Sequence, residues 1–299
     1  MQFKRTWKQV DGVLLLDKPI GLTSNDALQK VRRLFSAAKG GHTGTLDPLA
    51  TGLLPLCFGE ATKFSADLLD ADKTYEAVLK LGVTTDSGDA EGRVTATATV
   101  NIKNEAILEV LPKFTGHIQQ IPPMHSALKR DGRPLYELAR KGIEVERDAR
   151  SVTIYAIDLL DFASDSLTIR VACSKGTYIR VLAADIGAAL GCGAHLSALR
   201  RTRVGELNLQ GAVTLAELEA LDEAGRVTHL QPVDALLHTL PVLTVEGEAA
   251  ERFRHGNPVD LPPGLVGKIR VYEGSRLIGI GEPGAGERLW PKRLVQLAE

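Results

Sequence analysis

Apolar positions along this chain recur with two periods. Alternation on every second residue marks half-buried strands, and a spacing of three to four marks amphipathic helices. Residues 12–16 are a short apolar run ending in Asp17-Lys18-Pro19-Ile20-Gly21, a strand followed by a turn. Thr23, Ser24 and Asn25 offer N-caps for a helix over residues 26–38, with Ala27, Val31, Leu34 and Phe35 on one face and Gly40 beyond its end. Residues 53–58 read as a buried strand. Residues 74–83 read as a half-buried one, with Tyr75, Ala77, Leu79 and Leu81 on one side. A polar turn over residues 85–92 precedes a second alternating stretch, 94–100, and a short helix, 105–114. Residues 152–162 and 166–173 predict a β-hairpin. Residues 178–190 predict a helix with Ile179, Leu182, Ala183, Ile186 and Leu190 on its stripe, and 195–204 and 215–221 predict a strand and a short helix.

Two segments break the pattern. Residues 124–150 are charged, carry Gly132 and Gly142, and read as an insertion or mobile lobe with a short helix near 135–141. Pro232 and Pro241 bracket a predicted linker. Beyond it, a helix at 248–255 and strands at 268–272, 276–281 and 289–294 suit a small β-barrel of about sixty residues, a size at which independent folding is marginal. Hairpins outnumber crossover units, so the fold class is α+β with a largely antiparallel mixed sheet flanked by helices. The predicted division is a large domain over residues 1–235 and a small one over 241–299.

Composition narrows the class. Apolar residues make up 44% of the chain, enough to bury a core and to set disorder aside. Cys57, Cys173 and Cys192 are odd in number and lack metal or redox spacing, which points to buried thiols in a reducing compartment. The amino terminus is basic, but the apolar run after it, Val13 to Leu16, is too short for a signal sequence or membrane span, and the expected location is cytoplasmic. Net charge is −1, yet its distribution is uneven. Between Arg170 and Arg203 six basic residues face one acid, Asp185, whereas ten acids face three bases from Val204 to Asp260. A segregated basic face is the footprint of a polyanion site.

The chemistry concentrates in residues 41–52, Gly-His-Thr-Gly-Thr-Leu-Asp-Pro-Leu-Ala-Thr-Gly. Asp47 has no ionisable residue within four positions on either side. Asp-Pro is a common turn start, but Gly41, Gly44 and Gly52 allow a ligand close to the backbone, and Thr43, Thr45 and Thr51 offer hydroxyls. Leu46 and Pro48 predict partial desolvation of the carboxylate, which then requires a cation beside it. Arg180, opening an otherwise apolar helix, is the candidate. His42 lacks companions at metal-ligand spacing, so no metal is expected. Neither a phosphate loop nor a dinucleotide fingerprint is present, so no cofactor is expected either. Tyr75 can stack on a base if it faces the site.

Taken in order, Leu16-Asp17-Lys18-Pro19-Ile20-Gly21-Leu22-Thr23-Ser24, Gly41 to Pro48, Ala50-Thr51-Gly52-Leu53-Leu54-Pro55, Gly59-Glu60-Ala61-Thr62-Lys63, Lys73-Thr74-Tyr75, Ile121-Pro122-Pro123-Met124-His125-Ser126-Ala127, Gly176-Thr177-Tyr178-Ile179-Arg180 and Leu196 to Thr202 closely resemble the TruB-type tRNA pseudouridine synthases. The tail resembles their small PUA-like RNA-binding barrel. The resemblance implies isomerisation of uridine to pseudouridine at position 55 in the tRNA T-arm, with base flipping and without metal or cofactor. It implies Asp47 as nucleophile, at ribose C1′ or at uracil C6, and Arg180 as the group that holds it ionised and aimed. Tyr75 stacks on the target base and helps to move a proton. Tyr178, Leu199 and His42 shape the nucleotide site, and Lys18 and Lys63 support the site or the RNA backbone. The 170–203 basic cluster and the 124–150 lobe are the expected T-arm contacts, tRNA the partner, and the working unit a monomer. Two other readings remain: a guide-RNA-directed pseudouridine synthase, and a tRNA-folding chaperone that does not need catalysis.

Overall fold

The computed structural model describes residues 6–126, 128–130 and 132–296; Ala127 of the Ile121–Ala127 element and the first five residues of the basic amino terminus lie outside them. The apolar run at the start becomes β1 (Gly12–Lys18). Thr23 then caps α1 (Ser24–Leu34), its hydroxyl accepting from the Asp26 amide at 3.0 Å. This helix stops short of the predicted residue 38. Ser36 takes a left-handed φ of +50°, Phe35 turns to stack on Phe58 at 5.5 Å, and Arg32 donates to the carbonyls of Ala37 and Ala38. Gly40, expected to end the helix, instead opens β2 (Gly40–His42), which pairs with β3 (Ala50–Phe58). A 3₁₀ helix at Gly59–Leu68 follows, buried through Ala61, Phe64 and Leu68.

β4 (Lys73–Leu81) leads into a hairpin of β5 (Val83–Thr85) and β6 (Val94–Thr97), then α2 (Asn104–Val110). The short polar strand β7 (Gly116–Gln120), which has little apolar alternation to betray it, forms the sheet edge. Within the 124–150 lobe lie β8 (Lys129–Arg130), β9 (Arg133–Pro134) and α3 (Leu135–Arg140). The hairpin β10 (Arg150–Ala163) and β11 (Ser166–Cys173) is followed by α4 (Ile179–Ala189) and β12 (Ala194–Val204). β13 (Leu207–Asn208), β14 (Val213–Thr214), α5 (Leu215–Ala220) and α6 (Glu223–Val227) complete this part. The large sheet runs β14-β1-β3-β12-β4-β11-β10-β7, with β2 on β3 and β13 on β12. Its neighbours are antiparallel except β1–β14 and β3–β12.

Residues 232–241 are not an exposed linker. Val233, Ala235, Leu236 and Leu237 are buried, and a 3₁₀ turn at Val233–Leu236 packs beneath β1. The C-terminal sheet comprises β15 (Val242–Thr244), β16 (Val259–Asp260), β17 (Ile269–Glu273), β18 (Arg276–Gly284) and β19 (Arg288–Leu294), ordered β15-β17-β18-β19-β16, with α7 (Gly247–Arg254) packed on it. Phe253, Ile269, Val271 and Leu289 form its own core. A second core joins it to the large sheet through Val13, Leu53, Phe64, Leu237, Leu277 and Ile280. No described helix is long and apolar enough to cross a membrane.

Phe64 is fully buried in that shared core. Phe64→Ala should cost about 3–5 kcal/mol in urea unfolding and uncouple the C-terminal sheet, giving two transitions where wild type gives one. A loss under about 1 kcal/mol would show that the joint core contributes little.

Candidate active site

Asp47 lies on the loop joining β2 to β3, and the loop is held at every turn. Ser24, buried at the start of α1, accepts from the Leu46 amide at 2.8 Å and donates to the Leu46 carbonyl at 3.1 Å. The Pro48 carbonyl accepts from the Gly21 amide at 2.8 Å, and the Asp47 carbonyl from the Ala50 amide at 3.0 Å. Leu46 turns into the core, so the carboxylate points away from it. The predicted desolvation falls on the partner instead: the Asp47 side chain is 43% exposed, and that of Arg180 only 7%.

Arg180 occupies the first turn of α4. Its Nη2 is 3.1 Å from Asp47 Oδ2, and its Nε is 3.5 Å from Asp89 Oδ2. Nη2 also donates to the His125 carbonyl at 2.6 Å and Nη1 to the Ser87 carbonyl at 3.3 Å. Asp89 is itself fixed, its Oδ1 accepting from Ser87 Oγ at 2.5 Å and the Glu91 amide at 3.1 Å. This planar fork, satisfied on several sides, gives the carboxylate one direction. Sequence reasoning missed Asp89. It sits in a stretch read as a polar turn, and only its burial distinguishes it from the other acids there.

Tyr75 on β4 lies opposite Arg201 on β12, and Leu199, two residues before Arg201, lies opposite Ala77. Tyr75 and Leu199 therefore share a face of the sheet. Burial pushes the Tyr75 hydroxyl up, Arg201 pulls it down, and the charge of Asp47 also acts on it. Tyr178 caps α4, its backbone clasped by the Gln120 amide side chain at 3.0 and 3.4 Å. Its hydroxyl is raised by burial, with Asp47 adding to the shift. His42 ends β2. Burial, followed by the charge of Arg201, lowers its pKa and favours the neutral ring. Its Nδ1 is buried without a hydrogen-bond partner among the described residues.

Lys18 is fully buried, its Nζ donating to the carbonyls of Pro19 at 2.9 Å and Leu22 at 2.7 Å. Its ammonium is committed to the backbone of the turn after β1. Burial brings it down to about 8, against the pull of Asp47 and Glu91. Lys63 is elsewhere. Its Nζ is 2.6 Å from Glu60 Oε2 and donates to the Leu294 carbonyl at 2.9 Å, and Glu60 Oε2 also accepts from the Gln296 amide at 2.8 Å. Lys63 thus clasps the C-terminal sheet to the 3₁₀ helix rather than serving the reacting groups.

The basic run from Arg170 to Arg203 is not a separate cationic face. Arg180 and Arg201 are buried, Arg200 pairs with Asp17 at 2.6 Å, Arg170 with Glu76, Lys175 with Asp70, and Arg203 with Glu206. Acids that are distant in sequence stand beside these bases in space, which a count along the chain does not reveal. Cys57, Cys173 and Cys192 are buried free thiols.

Against known proteins, the model of the TruB family pseudouridylate synthase N-terminal domain matches residues 32–179. A tRNA pseudouridylate synthase B C-terminal domain model matches 180–238, and a pseudouridine synthase II TruB C-terminal model matches 241–295. The chain is 80% identical to the tRNA pseudouridine synthase B of Dechloromonas aromatica (strain RCB) over 299 residues, the whole of both chains. It is 58% identical to that of Aromatoleum aromaticum over 294 residues, 98% of this chain and 96% of the relative. The solved structure of a Cbf5-Nop10-Gar1 complex superposes with a TM-score of 0.71 at 26% identity, over 95% of this chain and 84% of that one. The chain belongs to the TruB family of pseudouridylate synthases. Its fold is the α+β pseudouridine synthase catalytic domain followed by a small PUA-like sheet.

Arg180→Lys keeps the charge but cannot span Asp47, Asp89 and two carbonyls. Single-turnover rate should fall by about 10²–10³-fold with RNA affinity nearly unchanged, and an unaltered rate would remove the bridging geometry from catalysis. Lys18 gives a pH signature. Below pH 8 it is charged in both folded and unfolded chains, and folding carries the full burial penalty. Between about 8 and 10.5 the folded chain releases a proton that the unfolded chain keeps, so stability rises with pH. Wild type should therefore gain on Lys18→Met, by at most about 3 kcal/mol, across that window in urea titrations. A constant difference would contradict the depressed value.

Proposed function

We propose that this chain isomerises uridine to pseudouridine at position 55 of the tRNA T-arm loop, with Asp47 as the nucleophile. The pairing of Asp47 with the buried Arg180, in a chain that matches a tRNA pseudouridine synthase B along its full length, carries the reading. The N1–C1′ bond of the uridine breaks, the base rotates, C5 bonds to C1′, and the C5 proton is lost as N1 gains one. No electrons enter or leave. Asp47 attacks C1′ of the ribose or C6 of the uracil, and in either case Arg180 holds its carboxylate in one direction. Tyr75 stacks on the base and takes part in proton movement; Leu199 and Tyr178 form the walls of the nucleotide site, and the neutral His42 supports the flipped arrangement. Flipping costs a few kcal/mol, less in a loop than in a duplex, and contacts to the T-arm offset it.

In this reading residues 1–235 are the catalytic domain, with an RNA-gripping insertion at about 124–150, and 241–299 a PUA-like RNA-binding domain. The chain works as a monomer in the cytoplasm on bare tRNA. The second reading is a guide-directed pseudouridine synthase, which would share the same catalytic core. The full-length identity to a tRNA pseudouridine synthase B favours the first.

Tritium release from C5-labelled uridine in a T-arm stem-loop separates them. The purified chain alone should release tritium, and Asp47→Asn should release none while binding the stem-loop within about threefold of wild type. Silence of the wild-type chain without a guide would overturn the stand-alone reading.

A further inference from the structure

Among the described residues the largest fully buried side chain is that of Arg201, on β12, which is 1% exposed. It forms no ion pair among the described residues. An arginine without a carboxylate is a costly thing to bury, several kcal/mol for an uncompensated ion, and an apolar side chain would fill the same space at less cost. Its placement explains the retained charge. Nε donates to the Leu53 carbonyl at 2.8 Å and Nη2 to the Gly44 carbonyl at 3.0 Å. Gly44 lies three residues before Asp47, and Leu53 six residues after it, so one guanidinium spans both ends of the nucleophile loop. The approach leaves no room. Gly52, at φ +97°, could not carry a Cβ, which would stand 2.3 Å from the Arg201 carbonyl oxygen.

Tyr75 lies directly opposite on β4, where the charge of Arg201 acts on its hydroxyl. We propose that Arg201 is a positioning residue for the isomerisation: it sets the Asp47 loop by holding the Gly44 and Leu53 carbonyls on either side of the nucleophile. Its charge also pulls the facing Tyr75 hydroxyl toward its deprotonated form, against burial. This inference rests on the roles given above to Asp47 and Tyr75.

A double-mutant cycle tests it, using single-turnover tritium release from the labelled T-arm stem-loop with the full chain. Arg201→Met should slow release by about 10²-fold with stem-loop affinity within about threefold of wild type. In a Tyr75→Phe background most of that loss should persist, because the Gly44 and Leu53 carbonyls are released whether or not the phenol is present. Arg201→Lys, which retains the cation and most of the packing, is the arm for a Met variant that melts too low to assay. It should slow release by about tenfold and move the Tyr75-dependent limb of the pH–rate profile upward. A loss that shrinks below about threefold in the Tyr75→Phe background would overturn the proposal, as would an Arg201→Lys enzyme with wild-type rate and pH profile. Wild type that releases no tritium would instead refute the isomerase reading itself.

Discussion

The arrangement of the site depends on one guanidinium held between two carboxylates. Arg180 is buried, and such a cation is tolerable only when its donors are matched. Asp47 supplies one match, Asp89 another, and the carbonyls of Ser87 and His125 complete the set. The consequence is directional. Asp47 is the exposed member of this cluster and Arg180 the buried one, so the carboxylate faces a guanidinium held on several sides. α4 begins where it does because Gln120 clasps the Tyr178 backbone. The turn that carries Asp89 is pinned to β12 through the Gly88 and Leu196 backbones. The loop, helix and turn that supply the site are thus registered on one sheet.

Much of this was legible in the sequence where the signal was local. The glycine-threonine frame around Asp47, the apolar stripe of the helix that begins near Arg180, and the alternation around Tyr75 each reflect physics acting over a few residues. What was not legible is pairing at a distance. The bases between Arg170 and Arg203 looked like a polyanion face, yet Asp17, Glu76 and Asp70 come from other strands and turns to meet them. Lys63 was assigned to the site or the RNA backbone by resemblance alone, and the 3₁₀ helix carries it toward the C-terminal sheet. Asp89 was hidden for the opposite reason, a catalytic neighbour inside a stretch with ordinary turn composition.

The cations around Asp47 are unequal. Arg180 is paired with carboxylates, Lys18 is buried on backbone carbonyls, and Arg201 is buried on carbonyls opposite Tyr75. Only the first touches Asp47. The other two act through shape and field, and burial weakens the charged form of each. Such a set gains little from being positive in general, since the two inner groups are fully buried. It gains from fixing where the backbone around the nucleophile goes, which carbonyl acceptors do as well as acids and without cancelling the field at the carboxylate.

The same segment also sets the position of the C-terminal sheet. β3 begins beside Asp47, runs through the core, and passes directly into the 3₁₀ helix that carries Glu60 and Lys63. Glu60 Oε2 gathers the Lys63 ammonium and the Gln296 amide, while Lys63 also holds the Leu294 carbonyl at the end of β19. Lys268 on Asp67 fastens the same helix, and Arg270 beside Asp234 ties β17 to the buried turn after Pro232. Apolar side chains of both sheets fill the space between these contacts. A domain joined only by a flexible linker would sample many distances from the nucleophile. Here the path from Asp47 to the last strand is a continuous strand, helix and clasp, so whatever surface the C-terminal sheet presents is held at a set distance from the reacting carboxylate.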